Sequence, residues 1–328
     1  MMPGFRYVRP RSVEEAVSHL QAAGARAHAG GTDLLGCLRD GILDATTLVS
    51  LRDLAPLRGI TRRPDGGLRI GALTTIAAIA EHPEVTARYR VLAQAASAVA
   101  SPQLRHQGTL GGNLCQKPRC GYYRGDFHCI RKGGDRCFAY DGRNDEHCLF
   151  GGALCVVVHP SDTAPALVAL GATLRVRGPA GERTLPVEEL FVPPADDPTR
   201  ETILEPGELV VDVELPVPAA GLRSSYRKVR ARQAWDFALA GLALAVTLDG
   251  AGAGARVRSV RAVLSGVAAV PWRSTAIEAT ITGRRLEPAV IEQAAAAAVR
   301  DAEPLDHNGY KVDLVRGVVV EELAALVA

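Results

Sequence analysis

The feature that most constrains this chain of 328 residues is a cluster of cysteines in the first half of the sequence. Six of the seven cysteines lie within residues 115–155, namely Cys115, Cys120, Cys129, Cys137, Cys148 and Cys155. An even distribution would place about one cysteine in a window of that length. So dense a cluster indicates a metal or redox site rather than a set of core side chains.

The start of the sequence, MMPGFRYVRP, lacks the apolar segment and the cleavage site of a secretory signal, so we expect a cytoplasmic protein. Thiols stay reduced there, and clustered cysteines then favour a metal over disulfides. Export of the folded chain on a partner's signal is an alternative that the sequence leaves open. The longest apolar runs are too short to predict a membrane span. The formal net charge of +2 offers no basic excess for binding nucleic acid.

The hydrophobic patterns predict an α+β protein in three parts. Residues 1–57 contain a helix that begins with a capping box at Ser12, and two strands, which together form a small βαβ-type unit. Residues 58–218 have predicted strands at 68–70, 153–159, 173–177 and 210–215. Residues 219–328 show three strand-like stretches followed by helices. This order predicts a separate C-terminal α+β domain with a three-stranded sheet.

Two glycine-rich turns are typical of a site for a dinucleotide. In AGGTDL, residues 29–34, Gly30 and Gly31 can expose consecutive N–H groups to a pyrophosphate, and Thr32 adds a hydroxyl. GTLGGN, residues 108–113, repeats this chemistry. Neither turn has the glycine spacing of a Rossmann fingerprint or the lysine of a P-loop. An ordinary strand-to-helix turn is the alternative, with Asp33 as a helix N-cap.

Four motifs, in this order, resemble the FAD-binding subunit of the xanthine dehydrogenase family of molybdenum hydroxylases. They are AGGTDL, SPQLRHQGTLGGN, HPSDTAPALVALGA and YRKVRARQAWDFALAGLALAV, which begin at residues 29, 101, 159 and 226. The resemblance extends over nearly the whole chain. It implies a vanillyl-alcohol-oxidase-type (PCMH-like) FAD-binding fold of two subdomains, residues 1–57 and 58–218, followed by the C-terminal α+β domain.

The same resemblance implies which residues hold FAD. The two turns would surround the pyrophosphate and its neighbouring groups through Ala29, Gly30, Gly31, Thr32, Asp33, Leu34, Thr109, Gly111, Gly112 and Asn113. Asp162 would also contact FAD, and Lys228 would lie near the isoalloxazine ring or the phosphate arm. Without the family, Asp162 could equally be a helix N-cap and Lys228 a solvated lysine on a strand. No side chain stands out as a catalytic acid or base.

Residues 115–155, here named the cysteine segment, contain an insertion that most of the family lacks. The insertion is polar and rich in glycine, so we expect a bound metal or another cross-link to hold it together in place of an apolar core. It has no CxxC pair, which argues against a zinc ribbon and against a ferredoxin-type run. The spacing alone therefore predicts a site with four thiolates and leaves the metal open.

The sequence PRCGYY and the C-x7-C spacing resemble a branch of the family that carries a 4Fe–4S cluster in this subunit. The branch includes the β subunit of 4-hydroxybenzoyl-CoA reductase and aldehyde oxidoreductases of the periplasmic type. The resemblance implies the ligands Cys120, Cys129, Cys137 and Cys155. Cys115 and Cys148 would be spare, with Cys148 as an alternative ligand. We interpret the basic residues of the segment as solvated, and charge compensation of a cluster is the alternative for Lys117, Arg119, Arg124, Arg131, Lys132, Arg136 and Arg143.

The resemblance implies an electron-transfer subunit of a molybdenum-containing hydroxylase, dehydrogenase or reductase. FAD and the 4Fe–4S cluster of this chain would exchange electrons with a soluble acceptor or donor. A large molybdopterin-binding subunit and a small 2Fe–2S subunit would complete a heterotrimer or its dimer. Two other hypotheses stay open: a stand-alone flavin-dependent oxidase of the same fold, and a zinc-stapled scaffold subunit.

Overall fold

The N-terminal part of the chain forms a small parallel sheet in this computed structural model, which describes residues 2–250 and 255–326. The strand order is β1-β3-β2, and the strands are β1 (Arg6–Val8), β2 (Ala25–His28) and β3 (Thr47–Ser50). Two helices accompany the sheet, α1 (Val13–Leu20) and α2 (Leu34–Arg39). The Ser12 hydroxyl accepts a hydrogen bond from the Glu15 N–H at 3.1 Å, which confirms the predicted start of α1.

The middle part contains an antiparallel sheet with the order β4-β5-β8-β6-β7. Its strands are β4 (Ile60–Arg62), β5 (Leu68–Gly71), β6 (Thr173–Gly178), β7 (Gly181–Pro186) and β8 (Leu209–Leu215). The helices of this part are α3 (Ile76–Glu81), α4 (Pro83–Arg88), α5 (Arg90–Ala98), α6 (Pro102–Gln107), α7 (Leu110–Leu114), α8 (Gly121–Arg124) and α9 (Thr163–Ala169). Buried side chains of α3, α5, α9 and the sheet share one apolar core.

The C-terminal part has a second antiparallel sheet, with the order β12-β11-β10-β9. Its strands are β9 (Leu222–Val229), β10 (Ala240–Asp249), β11 (Arg256–Ser265) and β12 (Trp272–Arg273). The helices are α10 (Thr275–Ile281), α11 (Pro288–Ala298) and α12 (Tyr310–Ala325). Within the described residues this sheet has four strands, so the prediction of three was wrong. The missed strand has only two residues, too few for an alternating pattern to be visible in sequence.

The prediction of a strand at residues 153–159 is also wrong, because the backbone there is irregular. The segment contains the apolar run Val156 and Val157, and both side chains are buried. A continuous apolar run marks burial without fixing the backbone conformation. The segment is held by single hydrogen bonds, from the Cys148 N–H to the Val156 carbonyl and from the His159 N–H to the Ala268 carbonyl.

The fold confirms the α+β class, while the predicted boundaries at residues 57 and 218 stay predictions. A search of the described residues finds no helix with both the length and the apolar character needed to cross a bilayer. The three sheets and their helices bring the two glycine turns, the HPSD motif and β9 to one groove.

Candidate cofactor site

The two glycine turns pack directly against each other at the centre of the groove. A methyl group added at Gly30 would lie 1.9 Å from the backbone oxygen of Gln107, just before the second turn. Gly31 has a φ of +73°, which side chains rarely adopt. Residue 30 therefore has to be glycine for the turns to approach so closely, and the pair forms one structural unit.

Two adjoining cavities run along this unit, with volumes of about 1070 and 860 Å³ when the space open to solvent is included. Both are lined by residues of the two turns, including Thr32, Thr109 and Gly112. The first cavity extends toward apolar side chains of the N-terminal part, among them Leu43 and Leu51. The second extends toward the C-terminal part. The two cavities together therefore extend from the N-terminal part, past both glycine turns, to the C-terminal part, which suits an extended dinucleotide.

The second cavity has a buried ion pair in its wall. The Asp162 carboxylate accepts hydrogen bonds from the Lys228 ammonium at 2.7 Å and from the Tyr226 hydroxyl at 2.7 Å. Lys228 also donates to the Ala98 carbonyl at 3.2 Å. Burial raises the pKa of Asp162, and the Lys228 charge opposes that rise. Asp162 makes no side-chain cap to α9, so its carboxylate is committed to the pair instead.

Asn113 fixes the second turn against the HPSD motif. Its side-chain oxygen accepts hydrogen bonds from the Ser161 and Thr163 hydroxyls, both at 2.6 Å. Within the turn, the Thr109 hydroxyl accepts from the Gly112 N–H at 3.3 Å. The contacts of Asn113 connect the last turn of α7 to the start of α9. The turn and the ion pair consequently hold fixed positions relative to each other.

Asp33 joins the first glycine turn to the cysteine segment. Its carboxylate accepts from the Lys117 N–H at 2.7 Å, from the Arg124 guanidinium at 2.8 Å, and from the Arg119 guanidinium. It gives no side-chain cap to α2. Burial by itself would raise the pKa of Asp33, but Arg119 and the other donors outweigh burial and hold it below its ordinary value. Asp33 is therefore an anchor between two parts of the chain.

Several basic residues of the cysteine segment are paired and partly or fully buried, so their interpretation as solvated surface was wrong. Besides Arg119 and Arg124, the Arg131 side chain is buried and donates to the Glu201 carboxylate at 3.0 Å. Lys117 also pairs with Glu201. The partners lie about seventy to ninety positions away in sequence, which is why no local pattern indicates them.

The thiols of the cysteine segment differ in the groups that surround their sulfur atoms and in the direction of their pKa shifts. Burial raises the pKa of Cys120, whose sulfur lies 3.3 Å from the His147 ring nitrogen Nε2. The neighbouring Cys155 thiol lowers the pKa of Cys137, while Cys137 and burial raise the pKa of Cys155. Donors aimed at sulfur stabilise a thiolate, which is the form that binds metals.

Cys115 and Cys148 lie in apolar surroundings instead. Burial raises the pKa of each to about 12. Cys148 packs with Ala139 and Val156. Neutral buried thiols of this kind behave as small apolar side chains.

The donor set of the cysteine segment fits a metal-sulfur group in its chemistry. Cys137 packs against Cys148 and against Val156, the residue that follows Cys155. Over residues 2–250 and 255–326, however, no three Cys, His, Asp or Glu side chains stand close enough to share one ion. Within that part of the chain the predicted ligands therefore do not form a coordination shell.

Comparison with known families decides the class of the protein. A family model for the FAD-binding domain of molybdopterin dehydrogenases matches residues 3–218. A second model, for the C-terminal domain of CO dehydrogenase flavoproteins, matches residues 224–325. The chain belongs to the FAD-binding medium subunits of the molybdenum hydroxylases. It is thus an FAD-binding oxidoreductase subunit that mediates electron transfer through FAD.

Individual relatives agree with this membership over nearly their full length. The aldehyde oxidoreductase FAD-binding subunit PaoB of Escherichia coli (strain K12) is 37% identical, over 98% of this chain and 98% of its own. The carbon monoxide dehydrogenase medium chain of Hydrogenophaga pseudoflava is 29% identical, over 93% and 89%. A solved structure of carbon monoxide dehydrogenase from that organism superposes with a TM-score of 0.77 at 28% identity, covering 98% of this medium subunit and 96% of the other chain.

Sequence reasoning missed several residues that line the groove of this medium subunit. Gln116 borders both cavities, Lys117 borders the first and Arg119 the second. Trp235 and Phe237 line the second cavity. These residues belong to the cysteine segment and to the loop before β10. A short polar loop carries no periodic signal, so only the tertiary structure could assign them to the groove.

Proposed function

We propose that FAD lies along the groove with its pyrophosphate between the glycine turns and its isoalloxazine ring in the second cavity. The main support is the close contact at Gly30, which brings residues 29–34 and 109–113 together in the wall of the two cavities. The adenosine end would then occupy the more apolar first cavity. At the ring end, Lys228 and Asp162 offer a donor and an acceptor to the polar edge of a heterocycle.

We also propose that Cys120, Cys129, Cys137 and Cys155 hold a 4Fe–4S cluster. The lowered pKa of Cys137 and the His147 ring nitrogen 3.3 Å from the Cys120 sulfur support this choice, because hydrogen bonds to sulfur stabilise cluster thiolates. Cys115 and Cys148 pack among apolar side chains, which supports leaving them out. When bound, the cluster supplies one-electron steps beside the two-electron chemistry of FAD.

The partners follow from the family. We propose that a large molybdopterin-binding subunit carries out the substrate chemistry, and that a small 2Fe–2S subunit connects it to this chain. The names of the relatives, an aldehyde oxidoreductase and a carbon monoxide dehydrogenase, suggest a substrate that is oxidised at a carbonyl or one-carbon group. FAD would exchange electrons with a soluble acceptor or donor. A cytoplasmic location stays part of this proposal.

Variants of single cysteines test the cluster separately from the flavin. The full-length chain is purified without oxygen, and iron, sulfide and FAD are measured in the wild type, Cys129→Ser and Cys137→Ser. We expect both variants to lose most of the iron while they keep FAD. The matched controls Cys115→Ala and Cys148→Ala should keep both. Zinc in place of iron in the wild type, or iron loss in the controls alone, would contradict the ligand set.

A further inference from the structure

The loop between β9 and β10, residues 230–239, carries an aromatic side chain with no role in the site described so far. Trp235 is 68% exposed, an unusual exposure for an indole, yet it lines the second cavity. Phe237 lines the same cavity and is 41% exposed. Both rings therefore border the space next to Asp162 and Lys228 while much of their surface stays uncovered.

The backbone at this point adopts a conformation that side chains rarely take. Among the described residues other than glycine, positive φ occurs at Trp235 (+52°) and at Ala100 (+43°). The two are directly connected, since the Trp235 N–H donates to the Ala100 carbonyl at 3.0 Å. Both residues line the second cavity. Unfavourable backbone conformations tend to be kept where they position a side chain for function.

The loop is attached to two separate segments of the cavity wall. One attachment is the hydrogen bond to Ala100, which follows α5. The other is the Arg119 guanidinium, which lies 5.1 Å from the centre of the Phe237 ring. Within the loop, the Arg232 N–H donates to the Asp236 carboxylate at 3.0 Å. The loop is thus attached to the cavity wall on both sides of Asp236, and it holds the indole beside the cavity.

We propose that Trp235 stacks on the isoalloxazine ring of bound FAD and restricts access to the ring from solvent. The inference rests on the proposed placement of that ring beside Asp162 and Lys228. An indole pairs favourably with a flat aromatic heterocycle in an offset stack. A ring that is largely exposed without the cofactor becomes covered when the cofactor is present. Trp235 would then determine which soluble electron carriers can reach the flavin.

Flavin fluorescence tests the stack directly, because an indole in contact with a flavin ring quenches its emission by electron transfer. The full-length chain with bound FAD is compared with Trp235→Ala and Trp235→Phe at equal flavin concentration. We expect several-fold higher emission in both variants and a changed visible absorption band of the flavin. Iodide should quench the emission of Trp235→Ala more strongly than that of Trp235→Phe, because Phe still covers the ring.

The chain contains two tryptophans, so the other serves as a matched control. Trp272 stacks on Phe150 with ring centres 5.2 Å apart, in the C-terminal part. Trp272→Phe should leave the flavin emission and spectrum unchanged. Normal FAD content with no change of emission or spectrum in Trp235→Ala would overturn the stack but not the proposed function. A wild-type chain that binds no FAD would overturn both.

Discussion

Replacing Asp33 by Asn should loosen the attachment of the cysteine segment to the FAD-binding part. The carboxylate holds two guanidinium groups and the Lys117 N–H, and its side chain is only 16% exposed. Asn keeps an acceptor oxygen and the size of the side chain but removes the charge. Hydrogen bonds to a charged group are worth about 1.5–3 kcal/mol, so we expect a local loss of about 2 kcal/mol. Because about 1.4 kcal/mol is a factor of ten, this predicts about 30-fold more frequent opening.

Amide hydrogen exchange of residues 116–126, followed by mass spectrometry, measures that opening locally. Asp40→Asn is the matched control, because Asp40 ends the same helix and pairs at the surface with its exposed neighbour Arg39. Exposed pairs of this kind contribute little, so the control should exchange like the wild type. Equal exchange in Asp33→Asn and Asp40→Asn would refute the role of Asp33 as an anchor.

The pH dependence of the same measurement checks the sign of the charge effect. The folded-state pKa of Asp33 is lowered, so its contribution is present above the unfolded value of about 4. It is lost as the pH falls through the folded-state value. We therefore expect wild type and Asp33→Asn to differ at pH 7 and to converge in acid when compared at the same pH. A difference that grows toward acid would contradict the assignment.

Two further changes have clear expectations. Gly30→Ala places a methyl group 1.9 Å from the Gln107 backbone oxygen, so the flavin content of the purified chain should fall strongly. The control Gly36→Ala adds a methyl group where the space is open, so the flavin content should stay unchanged. Lys311→Met removes a buried ammonium that donates to three backbone carbonyls, and urea unfolding should show a loss of about 2–4 kcal/mol. Burial lowers the pKa of Lys311 to about 8, so the wild type, but not this variant, should gain stability as the pH rises from about 8 toward 10.5.

The ordered motifs predicted the family and the α+β class because each motif is local in sequence. Gly30 could be assigned to a turn from the amino-acid sequence alone, whereas Gly111 and Gly112 lie in α7 instead of the turn that their pairing predicts. The Ser12 cap of α1 is equally local. By contrast, β12 is too short for a pattern, and the run at Val156 is apolar without being a strand. Periodicity predicts burial better than it predicts backbone conformation.

The site could be predicted only in part, because its polar partners come from distant segments. Asp162 and Lys228 are 66 positions apart, and Asp33 and Arg124 are 91 apart. A charged residue has the same appearance in sequence whether it is solvated or paired. The interpretation of Arg131 as a surface residue failed for that reason, since its partner Glu201 lies 70 positions further on. The role of Trp235 likewise could not be predicted from the sequence, because it depends on the cavity that this side chain borders.

The cofactor content of the full-length chain, purified without oxygen, tests the central claim most directly. We expect one FAD, four irons and four sulfides per chain, as a single 4Fe–4S cluster beside the flavin requires. A chain that binds FAD but no iron would support the groove as the FAD site. It would contradict the proposal that Cys120, Cys129, Cys137 and Cys155 hold a cluster. A folded chain that binds neither cofactor would contradict the account as a whole.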